Sequence, residues 1–198
     1  MQFFRAVPTA QYQPGVMLRR HPGRRLPSNI PYMVDNLWEL TRPPERPSRR
    51  HAVYASPTAE LALMYAVAGG AERSGYLACA MRFITTPAFM QLSVEDAKLH
   101  PDVLVLQQCV NRQLGSWSAL PLARKRELAP LFIPGVTRAE LLEAMEESAL
   151  LAEVVREAAK HVRFWWPQGA VAETGELFFE IDDDNAYTLE AVAPIITL

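Results

Sequence analysis

Apolar residues in this chain cluster in short runs near both ends, with a longer helical stripe between them. Phe3, Phe4, Ala6 and Val7 flank Arg5 in a segment whose composition predicts a first strand. Ala52-Val53-Tyr54-Ala55 is a second apolar run. It stops at Ser56-Pro57, where serine suits a helix N-cap and proline the first helical position, so the alanine-rich stretch 58–68 predicts a helix. Gly69-Gly70 closes that pattern, and residues 75–84 predict a buried strand stopped by Pro87. Residues 89–92 predict another short strand, with Ser93 capping a turn over 94–96, whereas 102–114, apolar and β-branched in part, carry no clear stop signals and stay ambiguous. Thr137-Arg138-Ala139-Glu140 reads as a capping box. A long helix to about Val162 is expected after it, with Leu141, Leu142, Met145, Ala149, Ala152 and Val155 on one stripe and Trp165-Trp166-Pro167 at its end. Two last strands, 177–181 and 186–198, flank a turn at 182–185. Strands at both ends with helices between predict an α+β fold with a mixed sheet core, and a chain of 198 residues favours one domain over 1–198.

Residues 8–50 break the pattern. They hold eight of the sixteen prolines and read as a long irregular loop, inside which 29–40 is apolar enough for a short helix or turn packed on the core. Charge is also uneven. The first fifty residues carry nine Arg, no Lys and three acids, a formal +6 within a chain whose net charge is −2. An all-arginine basic set suits bidentate phosphate recognition, because the planar guanidinium fork matches phosphate oxygens; a solvated arginine-rich surface is the plain alternative. No apolar run approaches the roughly 20 residues of a membrane span, and the N-terminus has no signal pattern, so a cytoplasmic protein without membrane contact is expected. Cys79 and Cys109 sit in apolar surroundings and read as buried free thiols. The histidines show no metal spacing, and Asp182-Asp183-Asp184 lacks the later Gly and Glu of a calcium loop, so no metal site is expected.

Three short segments carry candidate chemistry: Arg5 on the first strand, Tyr54-Ala55-Ser56-Pro57-Thr58 at the end of the second, and Glu176 just before the apolar run 177–181. In this order they resemble the ADP-ribosyltransferase superfamily of the Arg-Ser-Glu type, whose members open on a strand-borne Arg, carry an aromatic-x-Ser-Thr-Ser motif and place a Glu at a late strand. Pro57 and Thr58 stand where that motif has Thr and Ser. The resemblance implies a split ADP-ribosyltransferase-like core and NAD as substrate. It also implies transfer of ADP-ribose to a protein or nucleic acid acceptor, in a toxin or effector setting with an antitoxin or immunity partner.

The same resemblance implies the roles. Arg5 would meet the phosphate or ribose oxygens of NAD, Ser56 would orient the catalytic Glu, and Glu176 would face the charge that develops on the ribose carbon. Tyr54, Ser56 and Thr58 would line the ligand, with Asn36 and Trp38 contributing from the loop over the dinucleotide and His51 at the entrance to the second strand. Glu173 and Glu180 compete with Glu176; Glu180, at an even offset, would share its strand face. Thr174 stands where arginine-modifying members carry Glu or Gln. Each residue has a simpler reading beside this one: Arg5 as a surface arginine, Ser56 as a helix cap, Trp38 as a loop anchor, His51 as a surface histidine. Two other functions fit the same residues. One is a noncatalytic module binding nucleic acid or protein. The other is an NAD glycohydrolase of the RES toxin type, which usually carries a Glu in the helix after the serine, near where this chain has Met64.

Overall fold

The computed structural model describes residues 2–19, 26–27, 29–67, 72–166, 173–182 and 184–192. Among them are six α-helices and two small antiparallel sheets, which form one mixed α/β domain. The first sheet has the order β1 (Phe4–Pro8), β3 (Tyr76–Phe83), β6 (Tyr187–Ala191), so the two ends of the chain flank a central strand. The second has the order β2 (Val53–Ala55), β5 (Leu177–Phe179), β4 (Phe89–Gln91). One bridge joins them, between Phe4 and Ser56.

Side chains alternate along a strand, so register decides which face each residue serves. Cys79, Met81 and Leu189 from the first sheet and Ala55, Leu177 and Phe179 from the second share a core in which Phe3 sits edge-on to Phe83, Phe89 and Phe179. The opposite face of the first sheet presents Ala6, Ala78 and Ala80, small residues on which α2 (Ala59–Val67) lies close to β1 and β3. Met90 and Phe178, on the far side of the second sheet, enter a larger core built with α1 (Tyr32–Thr41), α3 (Pro101–Leu114), α4 (Leu122–Phe132), α5 (Arg138–Glu147) and α6 (Ala149–Ala159).

The short helix or turn expected within 29–40 is α1, a core helix with Val34, Leu37 and Trp38 at 1% exposure or less. Other expectations change. Residues 102–114 are helical because Pro101 occupies the first turn, the His100 imidazole accepts the Asp102 amide, and Gly115 at φ 65° takes the left-handed end. Burial lowers the His100 pKa, in keeping with a neutral ring whose Nδ1 accepts that bond. The long helix from Thr137 is two helices. The Thr137–Glu140 capping box is present, but Ser148 takes extended backbone and accepts the Leu151 amide, so it starts α6 instead of continuing α5. Residues 93–96 form a bend, and Asp96 caps the single 3-10 turn Ala97–Leu99 that follows by accepting the Lys98 amide. The two C-terminal strands do not pair with each other, since β5 and β6 belong to different sheets. Gly69-Gly70, Pro167 and residues 193–198 lie outside the described residues.

Candidate functional site

Arg5 lies on the face of β1 that looks into the cleft between the two sheets. Its Cα partner on β3 is Cys79, and its Nη1 donates to the Tyr187 hydroxyl at 3.1 Å. The cleft opens there into a cavity of about 560 Å³ lined by Arg5, Arg19, Arg50, His51, Tyr54 and Tyr187, with no carboxylate among its described lining residues. Among the described residues no carboxylate pairs with Arg5, and its guanidinium meets the neutral Tyr187 hydroxyl. That makes the cavity attractive to an anion. Arg50 adds less than its name implies, because its guanidinium is spent inside: Nε donates to Asp35 at 2.8 Å, Nη2 to Asn36 Oδ1 at 2.6 Å and Nη1 to the Val136 carbonyl.

Ser56 holds the seam. Its amide and carbonyl bond Phe4 at 2.8 and 2.9 Å, and the residue is 6% exposed. The pairing sets Ser56 on Phe4's face, so its side chain and that of Arg5 project to opposite sides of the joined sheet. The helix cap expected at Ser56 falls two residues later, where the Thr58 hydroxyl accepts the Leu61 amide at 3.2 Å. Extending the Ala55–Leu177 register by one residue brings Ser56 opposite Glu176.

Glu176 leads into β5, between β2 and the chain that follows β4. Its amide donates to Val94 and its carbonyl accepts from Leu92, both at 2.9 Å. Its carboxylate enters a smaller cavity of about 180 Å³ lined by Asn29, Asp35, Arg49, Tyr54, Asp96 and Glu176. Glu176 Oε2 accepts from Arg49 Nη1 at 3.3 Å and from the Ala97 amide at 3.0 Å. Burial raises the Glu176 pKa above the ordinary glutamate value, against the opposing pull of Arg49 and the Ala97 amide, while the Asp96 charge adds to the rise. Glu180 does share this side, since its Oε2 accepts the Ser48 amide at 3.0 Å, one residue before Arg49. Glu173 is exposed, in the turn at 173–174.

The structure thus brings Arg5, His51 and Tyr54 to one cavity and Tyr54 with Glu176 to a second, Tyr54 being common to both. Among the described lining residues of either there is no Ser56, Thr58, Asn36 or Trp38. Asn36 is 1% exposed and donates to the Leu131 and Ile133 carbonyls at 2.9 Å, which fixes α1 to the end of α4. Trp38 stacks on Phe164 at 4.0 Å and donates to Asp102 at 3.0 Å, so both residues expected to touch a cofactor serve the core instead. Asp102 Oδ2 also takes the Arg163 and Phe164 amides, which satisfies a buried acid through three N–H groups. Sequence reasoning missed Arg49, whose neighbour Arg50 and setting among prolines make it look like surface charge. Its guanidinium instead lies 5.3–5.7 Å from the ring centres of Trp38, Tyr54, Phe164 and Phe178.

No family model, curated protein or solved structure matches this chain. Among the described residues, no group of three His, Cys, Asp or Glu is arranged to hold a metal ion. No described helix is long and apolar enough to cross a membrane.

Proposed function

We propose that this protein is an NAD-dependent ADP-ribosyltransferase whose electrostatic centre is Glu176 and whose phosphate site is the Arg5 cavity. One observation carries the reading: the strands bearing Arg5 and Ser56 and the chain at Glu176 are immediate neighbours, linked by the Phe4–Ser56 bridge and the Ala55–Leu177 pair. Two sheets joined by that bridge and sharing the core around Phe3 support an ADP-ribosyltransferase-like split core.

The geometry calls for a long ligand. A cavity of about 560 Å³ is of ordinary ligand size, whereas about 180 Å³ accepts only part of a molecule. Tyr54 borders both, on an edge strand tied to β1 only through Ser56. A dinucleotide lying across that edge would put its diphosphate by Arg5 and one ribose by Glu176. In the reaction the bond from the nicotinamide nitrogen to ribose C1′ breaks, and its electron pair leaves with nicotinamide. Positive charge gathers on the ribose, and an acceptor lone pair then closes on C1′ while the acceptor proton departs to solvent. Both described bonds to the carboxylate land on Oε2, leaving Glu176 Oε1 for the ribose 2′-hydroxyl. A fixed negative charge in a partly desolvated site stabilises such a transition state more than it stabilises neutral ground-state groups.

A binding-only module is the second reading. It is favoured by the opposite facing of the Arg5 and Ser56 side chains and by the burial of Ser56. Incubation with NAD, with and without a lysate, separates the readings: ADP-ribose incorporated into protein or nucleic acid supports transfer. Nicotinamide release without incorporation supports a glycohydrolase, and no release supports the binding module.

A further inference from the structure

Arg49 has no place in the Arg-Ser-Glu pattern, yet it is the best-fixed cation beside Glu176. Its backbone is pinned first: the Arg49 carbonyl accepts the Tyr54 hydroxyl at 2.8 Å, and the preceding Ser48 amide donates to Glu180 at 3.0 Å. Four aromatic rings at 5.3–5.7 Å then surround the guanidinium, which is attracted to ring faces and gives up little rotamer freedom in such a cage. The side chain is only 10% exposed, and its one described hydrogen bond goes to Glu176 Oε2. Tyr54 thus supplies a cage wall, an anchor for the Arg49 backbone and the border between the two cavities.

We infer that Arg49 is a positioning residue, which holds the Glu176 carboxylate by one oxygen so that the other meets the ligand in a fixed orientation and in the ionised state. The inference rests on the transferase reading for its catalytic consequence, but not for the contact itself. The other titratable groups facing Glu176 are Asp35 from α1, Tyr54 from β2, Tyr65 from α2 and Asp96 from the segment after β4. Asp35 is paired with Arg50, so Asp96 is the acid whose charge opposes ionisation of Glu176; Arg49 is the cation on the other side of that balance.

The test uses the full chain and two readouts. Arg49→Met fills the cage without charge, and the pH dependence of nicotinamide release is compared with wild type. We expect kcat at neutral pH to fall by about tenfold or more with KM for NAD little changed, and the acid limb of the profile to move to higher pH. Arg49→Lys should keep the acid limb near its wild-type position. Independently of activity, carbon NMR of the Glu176 side-chain carboxyl should show a higher titration midpoint in Arg49→Met than in wild type. In the wild-type protein, which needs no variant to fold, the Arg49 guanidinium resonances should move with the Glu176 midpoint. A folded Arg49→Met with an unchanged Glu176 midpoint, or wild-type Arg49 resonances indifferent to Glu176 titration, overturns the inference. If wild type releases no nicotinamide, the transferase reading fails, and the NMR titration still decides whether Arg49 governs Glu176.

Discussion

Ser56 and Phe4 exchange two backbone hydrogen bonds, at 2.8 and 2.9 Å, and among the described residues this pair alone forms a β-bridge between the two sheets. Everything in the candidate site is arranged around that seam. Arg5, one residue past Phe4, turns into the cleft between the sheets, and Glu176, one register step past Leu177, turns to the helical side. The larger cavity collects positive charge and the smaller one holds acids against a caged arginine.

Arg5 should govern ligand affinity. Its side chain is exposed and bonded only to the Tyr187 hydroxyl among the described residues, so Arg5→Gln should change stability by no more than about 0.5 kcal/mol. Loss of a charge-assisted bond to a phosphate should raise KM for NAD by about tenfold or more, with kcat nearly kept. The rise in melting temperature that NAD gives the wild-type protein should shrink in the same variant, as calorimetry would read.

Asp35 and Arg50 form a buried pair, 5% and 3% exposed at the side chain, with Arg50 further engaged by Asn36. Asp35→Ala leaves a guanidinium without its counter-charge and should cost about 3–5 kcal/mol in urea unfolding. The double change Asp35→Leu with Arg50→Met should recover much of that loss, since no buried charge remains. A double variant as unstable as the single would mean that the pair is not the source of the penalty.

Reading these elements from sequence alone succeeds where a local signal is complete. Tyr76–Met81 is a run of apolar residues after a glycine, and the Thr137–Glu140 box carries both of its partners within four residues. It fails where the deciding partner is distant. A local signal can also be overlooked: Ser148 looks like any polar residue on an amphipathic helix, although its hydroxyl accepts the Leu151 amide only three residues on. Pro-rich surroundings leave 29–40 open between a helix and a turn, and α1 is settled by contacts with α3 to α6. The three strand positions of Arg5, Ser56 and Glu176 were legible; the faces their side chains serve were not, because those depend on a bridge between residues 52 positions apart. Arg49 was illegible for the same reason, its cage being assembled from residues 38, 54, 164 and 178.

Glu176 should leave a mark on stability as well as on rate. Burial makes the folded protein hold this proton more tightly than the unfolded chain does. The stability it contributes is therefore full below the ordinary glutamate value, near pH 4, and is lost as pH rises through the raised folded value. Glu176→Gln does not titrate. The melting temperature of the variant relative to wild type should therefore shift in the variant's favour between about pH 4 and neutrality. A difference that stays flat over that range would contradict the burial of this carboxylate.

The most direct measurement is nicotinamide release from NAD by wild type and Glu176→Gln, with NAD affinity measured on both. Glutamine keeps the shape and the hydrogen-bonding capacity of the side chain but removes the negative charge that faces the ribose. The account predicts a fall in kcat of about a hundredfold or more with affinity nearly unchanged. Full activity in Glu176→Gln with loss in Glu173→Gln or Glu180→Gln would move the centre to another acid, and full activity in all three would contradict the account.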